Sequence, residues 1–192
     1  MLNIPNLLTI FRILLIPVLV VVYFLPLGNR EIILTGIFVT AGITDWLDGF
    51  LARKMDATTA LGEFLDPVAD KLIVSTVLIL LVSDLNVLDK VFHPLPFAVA
   101  VCIIVGREIV ISALRGWMAE VGEKVVVAVG VVGKVKTGFQ MVSIALLLYA
   151  TPIYDIPIFR IGEIAFYTAA ILTLWSMWVY LRAAMPFLLE KP

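Results

Sequence analysis

The sequence predicts an all-α integral membrane protein, with six transmembrane helices and a short N-terminal interfacial helix forming a single domain over residues 1–192. The first observation is composition, because 62% of the residues are hydrophobic and only 15% are charged, whereas soluble domains carry about 25% charged residues. The second is that apolar segments of spanning length, about 20 residues, recur along the chain. The third is that runs such as residues 78–82 do not alternate as barrel strands do.

The first half of the chain contains three of the six predicted spans. A polar break at residues 28–31 follows the first apolar segment. The second segment is apolar through Ile43 and then becomes rich in carboxylates, whereas the third begins with carboxylates and continues as an apolar run. These predicted segments cover about residues 4–27, 32–52 and 63–83.

The second half contains the other three, and prolines mark two of its breaks. Pro94 and Pro96 mark the start of the fourth segment, and Pro152 and Pro157 bound the loop between the last two. A chain inside a bilayer must satisfy its own backbone hydrogen bonds, so all six segments are predicted to be helices. The last three cover about residues 95–115, 126–150 and 159–186.

The positions of the charged residues indicate an orientation. If the N-terminus is cytoplasmic, eleven of the 14 Lys and Arg residues fall on the cytoplasmic side, as the positive-inside rule requires. Most carboxylates fall on the same side, which predicts a polar cavity there. The net charge of −1 argues against a nucleic-acid partner, and the single Cys102, predicted to be buried, excludes a disulfide framework.

Four aspartates form the most informative pattern. Asp45 and Asp48 share a helix face at i, i+3, and Asp66 and Asp70 share one at i, i+4 on the next segment. The ten-residue loop 53–62 makes the two segments antiparallel neighbours, so that all four carboxylates can converge. Ionisable residues inside spans are functional candidates. A carboxylate set without His or Cys favours Mg²⁺ or Mn²⁺, as one ion or two, and such ions hold phosphate oxygens.

This spacing resembles the signature of the CDP-alcohol phosphatidyltransferases. That family has a six-helix membrane fold and displaces CMP from a CDP-linked lipid or alcohol with a hydroxyl acceptor, using divalent metal. The resemblance rests on eight positions, with no departure: Asp45, Asp48, Gly49, Ala52, Arg53, Gly62, Asp66 and Asp70.

The resemblance implies roles for the residues of the signature. Asp45, Asp48 and Asp66 would be metal ligands, and Asp70 would be either a further ligand or the general base for the acceptor hydroxyl. The residues implied for the CDP-lipid site are Thr44, Gly49, Ala52, Arg53 and Gly62.

A second polar set is predicted at the same membrane face. Arg107 and Arg115 are two helical turns apart on one face, and Lys134 and Lys136 open the fifth segment. Clustered cations near a metal site indicate an anionic acceptor, with Glu108 neutralising one of them. The alternative is that these cations only extend towards the membrane interface.

The N-terminal stretch is open to two interpretations. Asn6, Thr9 and Arg12 recur every three residues among apolar residues, which is typical of an interfacial helix. Resemblance to the family makes them candidates for the lip of the active site.

Further stretches resemble a bacterial branch of this family that uses CDP-diacylglycerol and glycerol-3-phosphate. The branch implies an inner-membrane protein with its termini and active site on the cytoplasmic side, surrounded by membrane lipids and forming a homodimer. Inositol phosphate or serine as the acceptor, an intramembrane prenyltransferase, and a divalent-cation transporter stay as alternatives. The stretches that carry the resemblance are residues 3–12, 66–71, 107–120, 133–137 and 172–177.

Overall fold

The computed structural model describes residues 3–55, 59–120 and 131–189, but not the side chains of residues 4, 52, 53, 60, 63, 119, 120 and 131–135. The described residues form six long helices and one short helix. In chain order, the helices are α1 (Ile4–Phe24), α2 (Arg30–Met55), α3 (Ala60–Ser83), α4 (Leu85–Leu88), α5 (Pro94–Glu120), α6 (Val131–Tyr149) and α7 (Ile158–Leu189).

The all-helical fold and the six long segments are confirmed, although several boundaries differ from those predicted. The extra helix α4 was not predicted, since four residues are too few to show a periodic pattern. A separate interfacial helix is not confirmed, because α1 is continuous from Ile4 to Phe24. Among the residues that the structure describes, four helices are long and apolar enough to cross a membrane; they lie within α1, α2, α5 and α7.

Local capping explains where two of the helices begin. The side chain of Asn3 accepts a hydrogen bond from the backbone N–H of Asn6, and Pro5 lies in the first turn of α1. Thr59 caps α3 in the same way by accepting from the backbone N–H of Gly62 at 3.1 Å. A capping side chain satisfies a free N–H group of the first turn, so α3 begins three residues before the predicted start.

The core of the bundle is apolar and tightly packed. Leu19, Phe38, Leu78 and Phe166 are almost completely buried, and α1 packs on α2 and α3 while α6 packs on α7. The contact between α6 and α7 depends on Gly162, where a Cβ atom would lie 2.8 Å from the Cβ of Leu146. Small residues let membrane helices approach closely in this way.

The outer surface of the bundle is strongly apolar. Large side chains such as Phe24, Trp46 and Trp178 are 63–72% exposed, which is typical of a surface that faces lipid rather than water. Cys102 also lies exposed on α5, so the prediction that it is buried was wrong. It belongs to the apolar surface of the bundle and not to its core.

Polar contacts join the helices at the end of the bundle where α1 ends and α2 begins. Tyr23 donates a hydrogen bond to Asp84 at 2.9 Å. At the same end, the fully buried Glu163 accepts hydrogen bonds from the backbone N–H of Phe92 at 2.8 Å and from Tyr167 at 3.1 Å. These contacts are structural, since the predicted site residues lie at the other end.

Candidate active site

The chain direction brings the predicted site residues to one end of the bundle. Those that the structure describes lie in the first halves of α1, α3 and α6 and in the middle or second half of α2 and α5. Successive long helices run in opposite directions, so these parts of five helices meet on the same side of the bundle. The structure therefore brings the predicted site residues that it describes together on one side of the bundle.

Three of the four aspartates surround the guanidinium group of Arg12. Its Nη1 atom lies 2.9 Å from Oδ1 of Asp45 and also pairs with Asp70, while its Nη2 atom pairs with Asp48. Arg12 and Asp48 are buried, whereas the side chains of Asp45 and Asp70 are 46% and 47% exposed. The carboxylates converge as predicted, and α1 supplies the cation between them.

The fourth aspartate is also held by α1. Thr9, which is almost fully buried, donates a hydrogen bond to Oδ1 of Asp66 at 2.6 Å. Thr9 and Arg12 therefore lie among the carboxylates, and Arg12 also lines the cavity, so the residues suggested for the lip of the active site are buried inside it.

Asn6 connects the beginning of α1 to the beginning of α3. Its side chain exchanges hydrogen bonds with the hydroxyl group of Thr59 at 2.9 and 3.0 Å. A Cβ atom at Gly62 would lie 2.6 Å from Oδ1 of Asn6. Packing against Asn6 is therefore sufficient reason for glycine at position 62, where the family resemblance implied a role in binding the CDP-lipid.

The aspartates suit a divalent cation by their chemistry. Carboxylate oxygens are the preferred ligands of Mg²⁺ and Mn²⁺. Among the described residues, no three acidic, histidine or cysteine side chains already form a metal-binding group, and three of the aspartates contact Arg12 instead. These carboxylates fit the predicted Mg²⁺ or Mn²⁺ ion, which would bind to the carboxylate oxygens that face the cavity.

The second cluster lies on α5 and α6. Oε1 of Glu108 accepts hydrogen bonds from Nη1 of Arg107 at 3.0 Å and from Nζ of Lys136 at 2.8 Å. Glu108 thus neutralises part of the cationic cluster, in agreement with the sequence-based expectation. The side chain of Lys136 is only 3% exposed, so it is an internal partner of Glu108 and not a cation reaching for the membrane interface.

Helix α7 contributes two residues that the sequence analysis missed. Ser176 accepts a hydrogen bond from Arg107 at 3.3 Å, and Tyr180 accepts one from Arg115 at 2.8 Å. The guanidinium carbon of Arg115 also lies 5.2 Å from the centre of the Tyr180 ring, a distance typical of a cation–π contact. The sequence carried a usable signal, because Ser176 and Tyr180 are polar residues at i, i+4 in a mostly apolar helix.

One cavity of about 670 Å³ joins the two clusters. All six long helices contribute to its wall, with carboxylates from α2 and α3 on one side and cations from α5 and α6 on the other. The charged and hydroxyl side chains that line it are Arg12, Asp45, Asp66, Asp70, Lys71, Arg107, Glu108, Arg115, Lys136, Thr137, Ser176 and Tyr180.

The remaining predicted residues have mixed outcomes. Thr44 is buried and donates to the backbone carbonyl of Ala41 at 2.8 Å, and neither it nor Gly49 is among the residues that line the cavity. The side chains of Ala52, Arg53 and Lys134 lie outside what the structure describes.

A transmembrane bundle whose cavity carries carboxylates opposite cations defines a membrane enzyme that handles phosphorylated substrates. The CDP-alcohol phosphatidyltransferase family model matches residues 2–175, and the chain belongs to this family. It is 46% identical over 189 residues to the CDP-diacylglycerol–glycerol-3-phosphate 3-phosphatidyltransferase of Salmonella choleraesuis (strain SC-B67), covering 98% of each chain. It is 44% identical, with the same coverage, to the proteins of that name from Shigella flexneri and Escherichia coli (strain K12).

Proposed function

We propose that this protein transfers the phosphatidyl group of CDP-diacylglycerol to glycerol-3-phosphate, giving phosphatidylglycerol phosphate and CMP. The observation that carries the proposal is that one cavity is lined both by three of the four aspartates, Asp45, Asp66 and Asp70, and by the cationic cluster. Family membership supports the CDP-linked donor, and the names of the relatives support the acceptor.

The aspartate side of the cavity is the proposed site for the diphosphate of the donor. Asp45, Asp48, Asp66 and Asp70 would hold one or two Mg²⁺ or Mn²⁺ ions. Bound metal neutralises charge on the diphosphate and polarises its phosphorus–oxygen bonds. Through such an ion, the carboxylates would keep the donor at the wall formed by α2 and α3. Gly49, Ala52 and Arg53 are proposed for its nucleotide part.

Asp70 is the proposed general base. It lines the cavity, and its half-exposed carboxylate can accept the proton of an acceptor hydroxyl group. The resulting alkoxide attacks the phosphorus atom that carries the diacylglycerol group. The bond between that phosphorus and the bridging oxygen breaks, and CMP leaves with the bond electrons.

The cationic side is the proposed site for the phosphate of glycerol-3-phosphate. Arg107, Arg115 and Lys136, with Glu108, give two formal positive charges, which match the two negative charges of a phosphate monoester. A planar guanidinium group can bind two phosphate oxygens at once. We therefore assign Arg107 and Arg115 as the contacting residues, Lys136 as a buried source of charge, and Lys134 as a further candidate.

The assay that tests the proposal measures CMP release by purified protein supplied with CDP-diacylglycerol and Mg²⁺ or Mn²⁺. Glycerol-3-phosphate, serine and inositol phosphate are offered in separate reactions, with EDTA as the metal-free control. We expect CMP release with glycerol-3-phosphate only, and none in EDTA. CMP release with only serine or only inositol phosphate would still fit the CDP-alcohol phosphatidyltransferase family, but it would overturn glycerol-3-phosphate as the acceptor.

We also propose that all six long helices span a bacterial inner membrane, with both termini and the cavity on the cytoplasmic side. The gathering of the charged residues at one end of the bundle supports this orientation. A Lys191→Cys variant in a Cys102→Ala background tests it, because an impermeant maleimide should label position 191 only after the cells are permeabilised. Labelling of position 191 in intact cells would show that the C-terminus lies on the opposite side of the membrane. Homodimerisation is proposed from the family resemblance alone.

A further inference from the structure

Helix α1 contacts every carboxylate of the aspartate cluster, although it contributes no acidic residue of its own. The guanidinium group of Arg12 pairs with Asp45, Asp48 and Asp70, in each case through one carboxylate oxygen. Thr9 completes the set by donating to one oxygen of Asp66. Two side chains one helical turn apart on α1 thus connect four carboxylates that come from α2 and α3.

The side chains of the cluster differ strongly in burial. Arg12 and Thr9 are each only 1% exposed, whereas the side chains of Asp45 and Asp70 remain almost half exposed and line the cavity. A cation entering from the cavity meets these exposed carboxylates first. Arg12 and Thr9 contact the carboxylates from α1, while Asp45, Asp66 and Asp70 also reach the cavity wall.

The type of residue at position 12 suits this arrangement. Four neighbouring carboxylates repel one another, and they need fixed hydrogen-bond donors if they are to keep one geometry. The rigid fork of an arginine can reach several carboxylates at once and always carries its charge, whereas a lysine is a flexible point charge. Residues that orient metal ligands in this way typically change metal affinity by about 10–100-fold when they are substituted.

We propose that Arg12 and Thr9 are positioning residues that hold the four aspartates in a metal-binding arrangement from α1. The proposal rests on the metal dependence given under the proposed function. It gives the start of α1 a role in the chemistry of the site, because a shift of α1 would move all four carboxylates together.

The test measures Mn²⁺ binding to the purified protein by electron paramagnetic resonance, without substrate. In Arg12→Lys the charge is kept and the fork is lost, so we expect the affinity for Mn²⁺ to fall about 10–100-fold. Arg12→Gln removes a positive charge, and this change alone would strengthen the binding of a cation. We nevertheless expect the affinity for Mn²⁺ to fall, because the aspartates lose the donor that holds them. Unchanged affinity in Arg12→Lys, or stronger binding in Arg12→Gln, would overturn the proposal.

The controls separate positioning from charge and from folding. Lys71→Gln removes another cation of the cavity wall, one that donates to the backbone carbonyl of Pro67, and it should not weaken Mn²⁺ binding. If the Arg12 variants do not fold, as judged by circular dichroism and gel filtration, Thr9→Val and Thr9→Ser provide a milder pair. Thr9→Val should weaken binding and Thr9→Ser should not, and equal affinities in these two would overturn the proposal.

The wild-type result shows which of the two proposals fails. If the wild-type protein binds no Mn²⁺, the proposed metal dependence is wrong, and the role of Arg12 and Thr9 is wrong with it. If the wild-type protein binds Mn²⁺ and Asp48→Asn does not, the metal site stands. The Arg12 and Thr9 variants then test the positioning role alone.

Discussion

Replacing Arg107 with alanine perturbs the acceptor side of the cavity most directly. Its guanidinium group is held by Glu108 at 3.0 Å and by Ser176 at 3.3 Å, and it lines the cavity. A hydrogen bond to a charged group contributes about 1.5–3 kcal/mol. Since each 1.4 kcal/mol is a factor of ten, Arg107→Ala should raise the KM for glycerol-3-phosphate about 10–100-fold.

The assay is steady-state CMP release with each substrate varied in turn. The KM for CDP-diacylglycerol should change less than about threefold, because the donor is assigned to the opposite wall. Arg160→Ala is the matched control, since Arg160 pairs with Glu163 at the other end of the bundle. Equal increases in both KM values, or an unchanged KM for glycerol-3-phosphate, would show that Arg107 has only a structural role.

Three further predictions concern other parts of the molecule. Asp70→Asn should lower turnover by at least about 100-fold while equilibrium binding of CDP-diacylglycerol persists, and wild-type turnover would remove Asp70 from the mechanism. Tyr180→Phe keeps the ring but removes a hydrogen bond of about 0.5–1.5 kcal/mol, so the KM for glycerol-3-phosphate should rise about 2–12-fold. An unchanged KM would mean that Tyr180 does not position Arg115. Glu163→Ala leaves the N–H of Phe92 unpaired at a cost of about 1–3 kcal/mol, so thermal denaturation in detergent should occur at a lower temperature with unchanged KM values. An unaltered melting temperature would show that the contacts of Glu163 do not stabilise this end of the bundle.

The fold was largely predictable because a bilayer restricts the chain so strongly. Long apolar segments between polar breaks identify helices, and the spacing of Asp45, Asp48, Asp66 and Asp70 places four carboxylates at one level. The start of α3 was less predictable, because it depends on the cap formed by Thr59 and its contact with Asn6. That contact links residues 53 positions apart, which no local pattern reveals.

The surroundings of the site were harder to predict than its carboxylates. The sequence shows that Arg12 is near the start of an apolar segment, but only the packing of α1 against α2 and α3 shows that it lies among the aspartates. Ser176 and Tyr180 were missed for a similar reason, since their partners Arg107 and Arg115 belong to α5. Sequence spacing reports contacts within a helix well and contacts between distant helices poorly.

The central claim is that one cavity brings a CDP-linked lipid and glycerol-3-phosphate together for direct transfer. Its most direct test follows radiolabelled glycerol-3-phosphate into the chloroform-extractable fraction while CMP is measured in the same reaction. One labelled lipid should form for each CMP released, and mass spectrometry should identify it as phosphatidylglycerol phosphate. CMP release without labelled lipid, or no release in the presence of both substrates and Mg²⁺ or Mn²⁺, would contradict it.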